Sequence, residues 1–338
     1  MDPILDWGID FIAGLQASAP WLEAPSRFFS FLGTEEFYLF ILPFLYWSVD
    51  VRLGLRISVI LSVSDSLNSL FKLVFHQPRP YWVSDKVKVI RAEASYGLPS
   101  GHAQHAVTVW GTIAAQGKGW LRWLMAALIF LIGFSRIVLA VHFPTDVLAG
   151  WLIGGVILWA FVKWETAVMA WFNRFTLPQK IGLAFAASML LIIISLAGQA
   201  FVPPVDTPQW ETNVARAFSL APGQVAIHAR AIAGTVGVAG TFFGLVAGAI
   251  LIFQRGRFDA HGPWSKRAGR FALGMIGVMI LWLGLRMVFP RDASLVSQMF
   301  RYLRYALTGF WVTYAAPWVF IKLGLQDTGK ALERATPR

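Results

Sequence analysis

The sequence predicts an all-α fold: a polytopic bundle of about nine transmembrane helices, preceded by a helix lying in the membrane interface. Three observations predict it. Of the 338 residues, 57% are hydrophobic and only 14% are charged, whereas soluble domains average about 25% charged residues. Apolar stretches close to the roughly 20 residues that cross a bilayer recur along the chain. The 16 Trp and 27 Phe residues supply the aromatic side chains that favour membrane–water interfaces.

The elements follow in chain order. Residues 3–18 place Trp7, Ile9, Phe11, Ile12 and Leu15 near one helical face, with Asp6, Asp10 and Gln16 mixed into the pattern. That pattern predicts an amphipathic interfacial helix. The start Met1-Asp2-Pro3 has no basic n-region, so no cleavable signal peptide is expected. Spans are predicted over residues 34–49, 55–75, 102–117, 121–141, 144–163, 181–201, 229–253, 271–289 and 303–324. Gly33-Thr34 and Asp50 bracket the first, and Gln116-Gly117-Lys118-Gly119 separates the third from the fourth. Pro144, directly after His142-Phe143, suits the start of the fifth.

The net charge is +11 and the chain contains no cysteine. Disulfide frameworks and thiolate chemistry are therefore excluded. The cations lie mostly in short loops between apolar runs, which fits anionic lipid and membrane orientation and not nucleic acid. One set of loops holds Arg52, Arg56, Lys118, Arg122, Lys163, Arg174, Lys180, Arg255, Arg257, Lys266, Arg267 and Arg270, and the basic tail falls on the same side. The positive-inside rule makes that side cytoplasmic. Residues 76–101, 142–144, 202–228 and 290–302 then face outward.

A boundary is expected near residue 170. Residues 1–170 carry every polar motif and form the expected catalytic core. Residues 171–338 contribute about four further spans and no catalytic constellation. In that second part Gly240, Gly244 and Gly248 share one helical face. Such spacing lets another helix approach closely, either within the chain or across a homodimer seam.

Three stretches on the outward side carry chemistry. The first runs from Lys72 through His76 to Arg79-Pro80, following Asp65 and Asn68 on the same helical face. Flanking prolines hold Arg79 extended, so the lysine and the arginine's flat fork can converge on one anion. The second is Pro99-Ser100-Gly101-His102, where Ser100 is a helix N-cap, the free amides favour phosphate, and Gly101 permits close approach. His102 adds a group that titrates near neutrality, with His105 a packing or supporting residue. The third is Ser135-Arg136, then His142 and Asp146 four residues apart. The carboxylate can hold one ring nitrogen of His142 and leave the other as a nucleophile. With one imidazole attacking phosphorus and another donating a proton, three cations would neutralise the phosphoryl group. No helical His-x-x-x-His pair or cysteine supports zinc, so no metal or other cofactor is expected.

These residues resemble the signature of the type 2 phosphatidic acid phosphatase family: Lys-x6-Arg-Pro, Pro-Ser-Gly-His and Ser-Arg-x5-His-x3-Asp. Lys72 to Arg79-Pro80, Pro99 to His102, and Ser135-Arg136 through His142 to Asp146 match it in order, over residues 30–165. The resemblance implies a phosphohistidine on His142 oriented by Asp146, His102 as general acid, and phosphate binding by Lys72, Arg79, Ser100, Gly101 and Arg136. It also implies a metal-independent hydrolase of lipid phosphate or pyrophosphate monoesters, with its site on the extracytoplasmic face. The alternatives are transfer of the phosphoryl group to another lipid or alcohol, and a non-enzymatic lipid-binding or transport protein. Vanadium haloperoxidases share the site, but they are soluble and this chain is too apolar. Tyr81, Trp82, Trp210 and Phe218 are expected to border a lateral path for lipid. Residues 203–227 are expected to form either an outer lid or an ordinary connector.

Overall fold

In a computed structural model the chain is built of helices. The structure describes residues 2–90, 93–201, 208–219, 227–228, 230–255 and 258–326, and among these no strand occurs. Helix α1 spans Pro3–Ser18, capped by the Asp2 carboxylate, which accepts from the Ile4 amide at 2.9 Å. It is followed by α2 (Glu23–Phe31) and α3 (Glu35–Phe44). Pro43 lies inside α3, and a π-helical turn at Leu45–Val49 follows it, in keeping with the backbone donor that proline lacks. Then come α4 (Val51–Phe75), the single turn α5 (Pro80–Val83), α6 (Gly101–Gln116), α7 (Trp120–Val138) and α8 (Pro144–Phe172). The remainder comprises α9 (Leu177–Phe201), α10 (Pro208–Phe218), α11 (Ala233–Gln254), α12 (Trp264–Met279), α13 (Leu285–Val288), α14 (Leu295–Phe310) and α15 (Ala316–Lys322).

All nine predicted spans coincide with helices, but among the described residues six helices are long and apolar enough to cross a membrane. The count rises to seven if α2 and α3, bent by 51° at their junction, form one broken span. The difference is one of length. Helix α6 has 16 residues, about 24 Å at the usual rise, less than the ~30 Å hydrocarbon thickness. The last predicted span is divided between α14 and α15 by a π-helical turn at Trp311–Ala315.

The helices carry the marks of membrane segments. Leu148, Leu152, Val156 and Trp159 form an exposed apolar stripe along α8. On α4 the Ser58, Ser62 and Ser66 hydroxyls each donate to the carbonyl four residues earlier. These bonds satisfy the hydroxyls within the helix itself, as an apolar medium requires.

The chain divides into two compact units, each assembled from three segments. The first comprises Met1–Phe37, Leu67–Val162 and Ile194–Ala231. Its core gathers Ile9, Ile12, Leu73, Tyr81, Trp82, Tyr96, Ile137, Phe143, Val147 and Val214. Helix α1 therefore does more than lie on a surface. Its apolar side splits, with Ile9 and Ile12 buried in this core and Trp7 and Phe11 exposed and stacked on each other. The four aromatics expected beside a lipid path pack together instead. Trp82 lies 5.7 Å from Trp210 and Tyr81 5.9 Å from Phe218, and both Tyr81 and Trp82 are buried. Helix α10 is fastened there by Asn213, whose amide donates to the Trp82 carbonyl at 2.8 Å. Of the rest of the expected lid, residues 203–207 and 220–226 lie outside the described residues.

The second unit comprises Tyr38–Ser66, Lys163–Ile193 and Ile232–Arg338, with a core around Tyr46, Trp47, Met275, Val278, Val312 and Phe320. Its glycine face is occupied from within. A Cβ on Gly244 would stand 1.9 Å from the Ala306 carbonyl oxygen, and one on Gly240 would stand 2.4 Å from that of Tyr302. A Cβ on Gly248 would meet the Thr313 hydroxyl, in the π-helical turn that follows α14. The stripe thus packs α11 against α14 of the same chain, and that contact fills the face considered for a homodimer seam.

Candidate active site

The site lies in the first unit, and its spacing motifs are local closures of the backbone. After α7 the chain turns through Ala140, which takes a left-handed φ of +55°. That turn brings the amides of Val141 and His142 back to the Arg136 carbonyl, at 3.2 and 3.3 Å. The five-residue gap between Arg136 and His142 is therefore a single loop closed on the arginine's own backbone. Asp146 is the third residue of α8. Its Oδ2 accepts the amide of Phe143, just before the helix, at 2.9 Å, as the acidic half of a capping box does. The same oxygen lies 3.2 Å from His142 Nδ1.

The other face of the ring meets Arg79, whose Nη1 lies 3.2 Å from His142 Nε2. A guanidinium can only donate. Nε2 is therefore the acceptor, and the ring proton sits on Nδ1 facing Asp146. Arg79 is held by further bonds from Nε to the Ser95 carbonyl (2.7 Å), from Nη1 to the Val141 carbonyl (2.8 Å) and from Nη2 to Ser95 Oγ (3.2 Å). Its backbone is extended at φ −91°, ψ 159°, immediately before the Pro80 that opens α5.

Arg136 reaches the same place from α7. It donates to Ser30 Oγ on α2 and, at 2.5 Å, to Glu93 Oε1. Glu93 Oε2 lies 4.0 Å from Arg79, so one carboxylate faces both guanidiniums. Lys72, near the end of α4, donates to the Tyr96 carbonyl. Asn68, one turn earlier, donates to the Pro99 carbonyl at 3.3 Å and to Gln104 Oε1 at 3.0 Å. Arg79, Lys72, Arg136, His142 and Asp146 are all buried.

Ser100 caps α6, its Oγ accepting from the Ala103 amide, and its own amide donates to the Asp146 carbonyl at 2.9 Å. This bond ties the second motif to the third. Gly101 is a point of close approach: a Cβ there would lie 3.1 Å from Asn68 Oδ1. His102 follows, with its buried Nε2 unpartnered. Its ring rests on Gly33, where a Cβ would come within 2.5 Å of Cδ2. Ser135, by contrast, donates to the Ile132 carbonyl within its own helix. Burial, followed by the fields of Arg79, Lys72 and Arg136, holds the His142 imidazole well below its ordinary range. Glu93 is pushed up by burial, but Arg79 and Arg136 outweigh that and hold it well below the usual carboxylate range. Among the described residues no three His, Asp or Glu side chains converge as a metal ion would need.

The structure places Lys72, Arg79, Ser100, Gly101, His102, Arg136, His142 and Asp146 in the first unit, whereas Ser135 turns back onto its own helix. It also adds Glu93, Ser95, Tyr96, Ser30 and Gly33, which sequence reasoning missed. For Glu93 a signal existed. Three converging cations with Asp146 alone leave charge unbalanced, and the loop between the first two motifs offers two acids, Asp85 and Glu93.

Fold and site together define a helical membrane protein with a buried cationic cradle around a carboxylate-held imidazole. Residues 53–170 match the sequence profile of the PAP2 superfamily, and residues 236–328 match that of the PAP2 superfamily phosphatase transmembrane extension. The chain belongs to the PAP2 phosphatase superfamily. It is 26% identical to Glucose-6-phosphatase 3 of Bos taurus, over 97% of this chain and 98% of that protein. Sphingosine-1-phosphate phosphatase 2 of Mus musculus is 32% identical over 39% of each. Among solved structures, a PAP2-type phosphatidylglycerolphosphate phosphatase from Bacillus subtilis is similar at 22% identity and a TM-score of 0.42, over 50% of this chain and 89% of that one.

Proposed function

We propose that the protein is a metal-independent phosphatase that cleaves phosphate monoesters through a phosphohistidine on His142. The observation that carries this reading is the His142 ring, held with Nδ1 3.2 Å from Asp146 Oδ2 and Nε2 3.2 Å from Arg79 Nη1 in the cationic cradle. In the first step Nε2 attacks phosphorus, the P–O ester bond breaks, and His102 gives its proton to the leaving alkoxide. In the second step water attacks the phosphorus of the phosphohistidine while His102 takes the water's proton; the P–N bond breaks, its electron pair returns to His142 Nε2, and inorganic phosphate leaves. Lys72, Arg79 and Arg136 stabilise the equatorial oxygens, and the amides at the start of α6, beside Ser100 and Gly101, add donors. Asp146 stabilises the ring as it becomes cationic.

The site opens to the extracytoplasmic side in this reading, supported by the basic loops of the opposite side. Residues 1–170 form the catalytic core and residues 171–338 its transmembrane extension. For the substrate, two lines bear on the choice. Relatives named as phosphatases of sphingosine 1-phosphate and lipid phosphate align with 39% and 53% of this chain. A relative named for glucose 6-phosphate aligns along the whole chain, extension included. The full-length alignment favours a small phosphate monoester in water, with a lipid phosphate as the second reading. Phosphate release from glucose 6-phosphate, sphingosine 1-phosphate, phosphatidate and a prenyl diphosphate in detergent decides between them. His142→Ala serves as the control and should abolish release. Undiminished release by that variant would refute the mechanism, and label passing to an added alcohol would mark a phosphotransferase.

A further inference from the structure

We propose that Glu93 is a resident competitor for the phosphate position: its carboxylate fills the place of the phosphoryl group between Arg79 and Arg136 and must leave before a phosphate binds. The proposal rests on the phosphatase reading of this site. The geometry is that of an anion already bound, with Oε1 2.5 Å from Arg136 and Oε2 4.0 Å from Arg79. The backbone of Glu93 is pinned separately. Its amide donates to the Tyr81 hydroxyl oxygen at 2.8 Å, and its carbonyl accepts from that hydroxyl at 3.2 Å. The side chain can therefore swing on its own torsions while the loop stays in place. It also lies on the accessible side of the cradle: the Glu93 side chain is 28% exposed, against 2% for Arg79 and 6% for Arg136.

Charge makes the exchange possible. Glu93 and Asp146 are the carboxylates that act on Lys72, Arg79 and Arg136 among the described residues, so replacing the monoanion of Glu93 by a phosphate dianion balances three cations. Since the two arginines keep Glu93 ionised, the competitor leaves by displacement and not by protonation. The same carboxylate returns after hydrolysis and helps to expel inorganic phosphate, which limits product inhibition.

The test is calorimetric binding of inorganic phosphate to the full-length protein in detergent, for wild type, Glu93→Gln and Glu93→Asp. A cradle open one-tenth of the time loses about tenfold in apparent affinity, so Glu93→Gln should bind phosphate about tenfold more tightly. Glu93→Asp, whose shorter side chain keeps the charge but loses reach to Arg136, should bind a few-fold more tightly than wild type, and it stands in if the glutamine variant does not fold. The inhibition constant for phosphate should fall by the same factors. Equal or weaker binding in the variants, with phosphate still bound by wild type, would overturn the proposal alone and make Glu93 a clamp on the arginines. No binding by wild type or variants would overturn the phosphate-site reading and this proposal with it.

Discussion

Asp146→Asn isolates the charge behind the nucleophile from the fold around it. The carboxylate is fully buried, and a single oxygen accepts from Phe143 N at 2.9 Å and faces His142 Nδ1 at 3.2 Å. An asparagine oxygen can keep both contacts, so the cap survives and stability should change by no more than about 1 kcal/mol, the size of one neutral hydrogen bond. The rate is another matter. When Nε2 bonds to phosphorus the ring becomes cationic, and its attraction to a carboxylate 3.2 Å away is worth about 5 kcal/mol at an effective dielectric constant near 20. Even half of that corresponds to about two orders of magnitude in rate. Saturating phosphate-release rates on the preferred substrate, with melting in detergent measured alongside, should therefore show kcat reduced roughly a hundredfold or more and a nearly unchanged Tm. A kcat within threefold of wild type, or a loss confined to KM, would refute the role assigned to this charge.

Three further outcomes follow. Gly33→Ala should push the His102 ring out of line, because the new Cβ would stand 2.5 Å from Cδ2; release from alkyl esters should fall about tenfold or more, and from an activated aryl phosphate much less. On the acid side, kcat/KM corrected for substrate ionisation should decline only below about pH 6.5, the ordinary imidazole value, because burial and the neighbouring cations lower the His142 pKa and keep the nucleophile neutral. A decline centred above pH 7 would contradict that sign. Gly244→Ala should lower Tm and yield in detergent without changing KM, since its Cβ would fall 1.9 Å from a backbone oxygen that cannot turn aside; an unchanged Tm would show that α11 and α14 separate easily.

What could be read from the sequence was what is local. The gap from Arg136 to His142 and the step to Asp146 are set by one turn and one helix start, so they survive as spacing. The helices were legible for the same reason, as continuous apolar runs. Their number across the membrane was not, because composition does not mark where a 16-residue helix falls short. Glu93, Ser30 and Gly33 carry no spacing signal. Each reaches the site by tertiary contact from a segment with no pattern of its own, Ser30 from the last turn of α2 and Gly33 from the junction after it. The glycine stripe was legible as a close contact but not as to its partner, since the spacing on α11 is the same whether the facing helix belongs to this chain or to another.

A cradle of buried cations must be stable while it waits for its ligand. Removing one partner from a buried charge pair costs several kcal/mol, and here two guanidiniums lie almost wholly out of solvent. The fold answers by giving them partners of its own: the Ser95 and Val141 carbonyls and the His142 lone pair on Arg79, and Ser30 with Glu93 on Arg136. Substrate binding is then an exchange of bonds and not a simple addition, and an exchange yields little net affinity in the ground state. That suits a catalyst. Donors already oriented but occupied by weaker acceptors gain most when charge builds up on the oxygens of the transferring phosphoryl group, so their interaction energy falls on the transition state instead of on the bound ester.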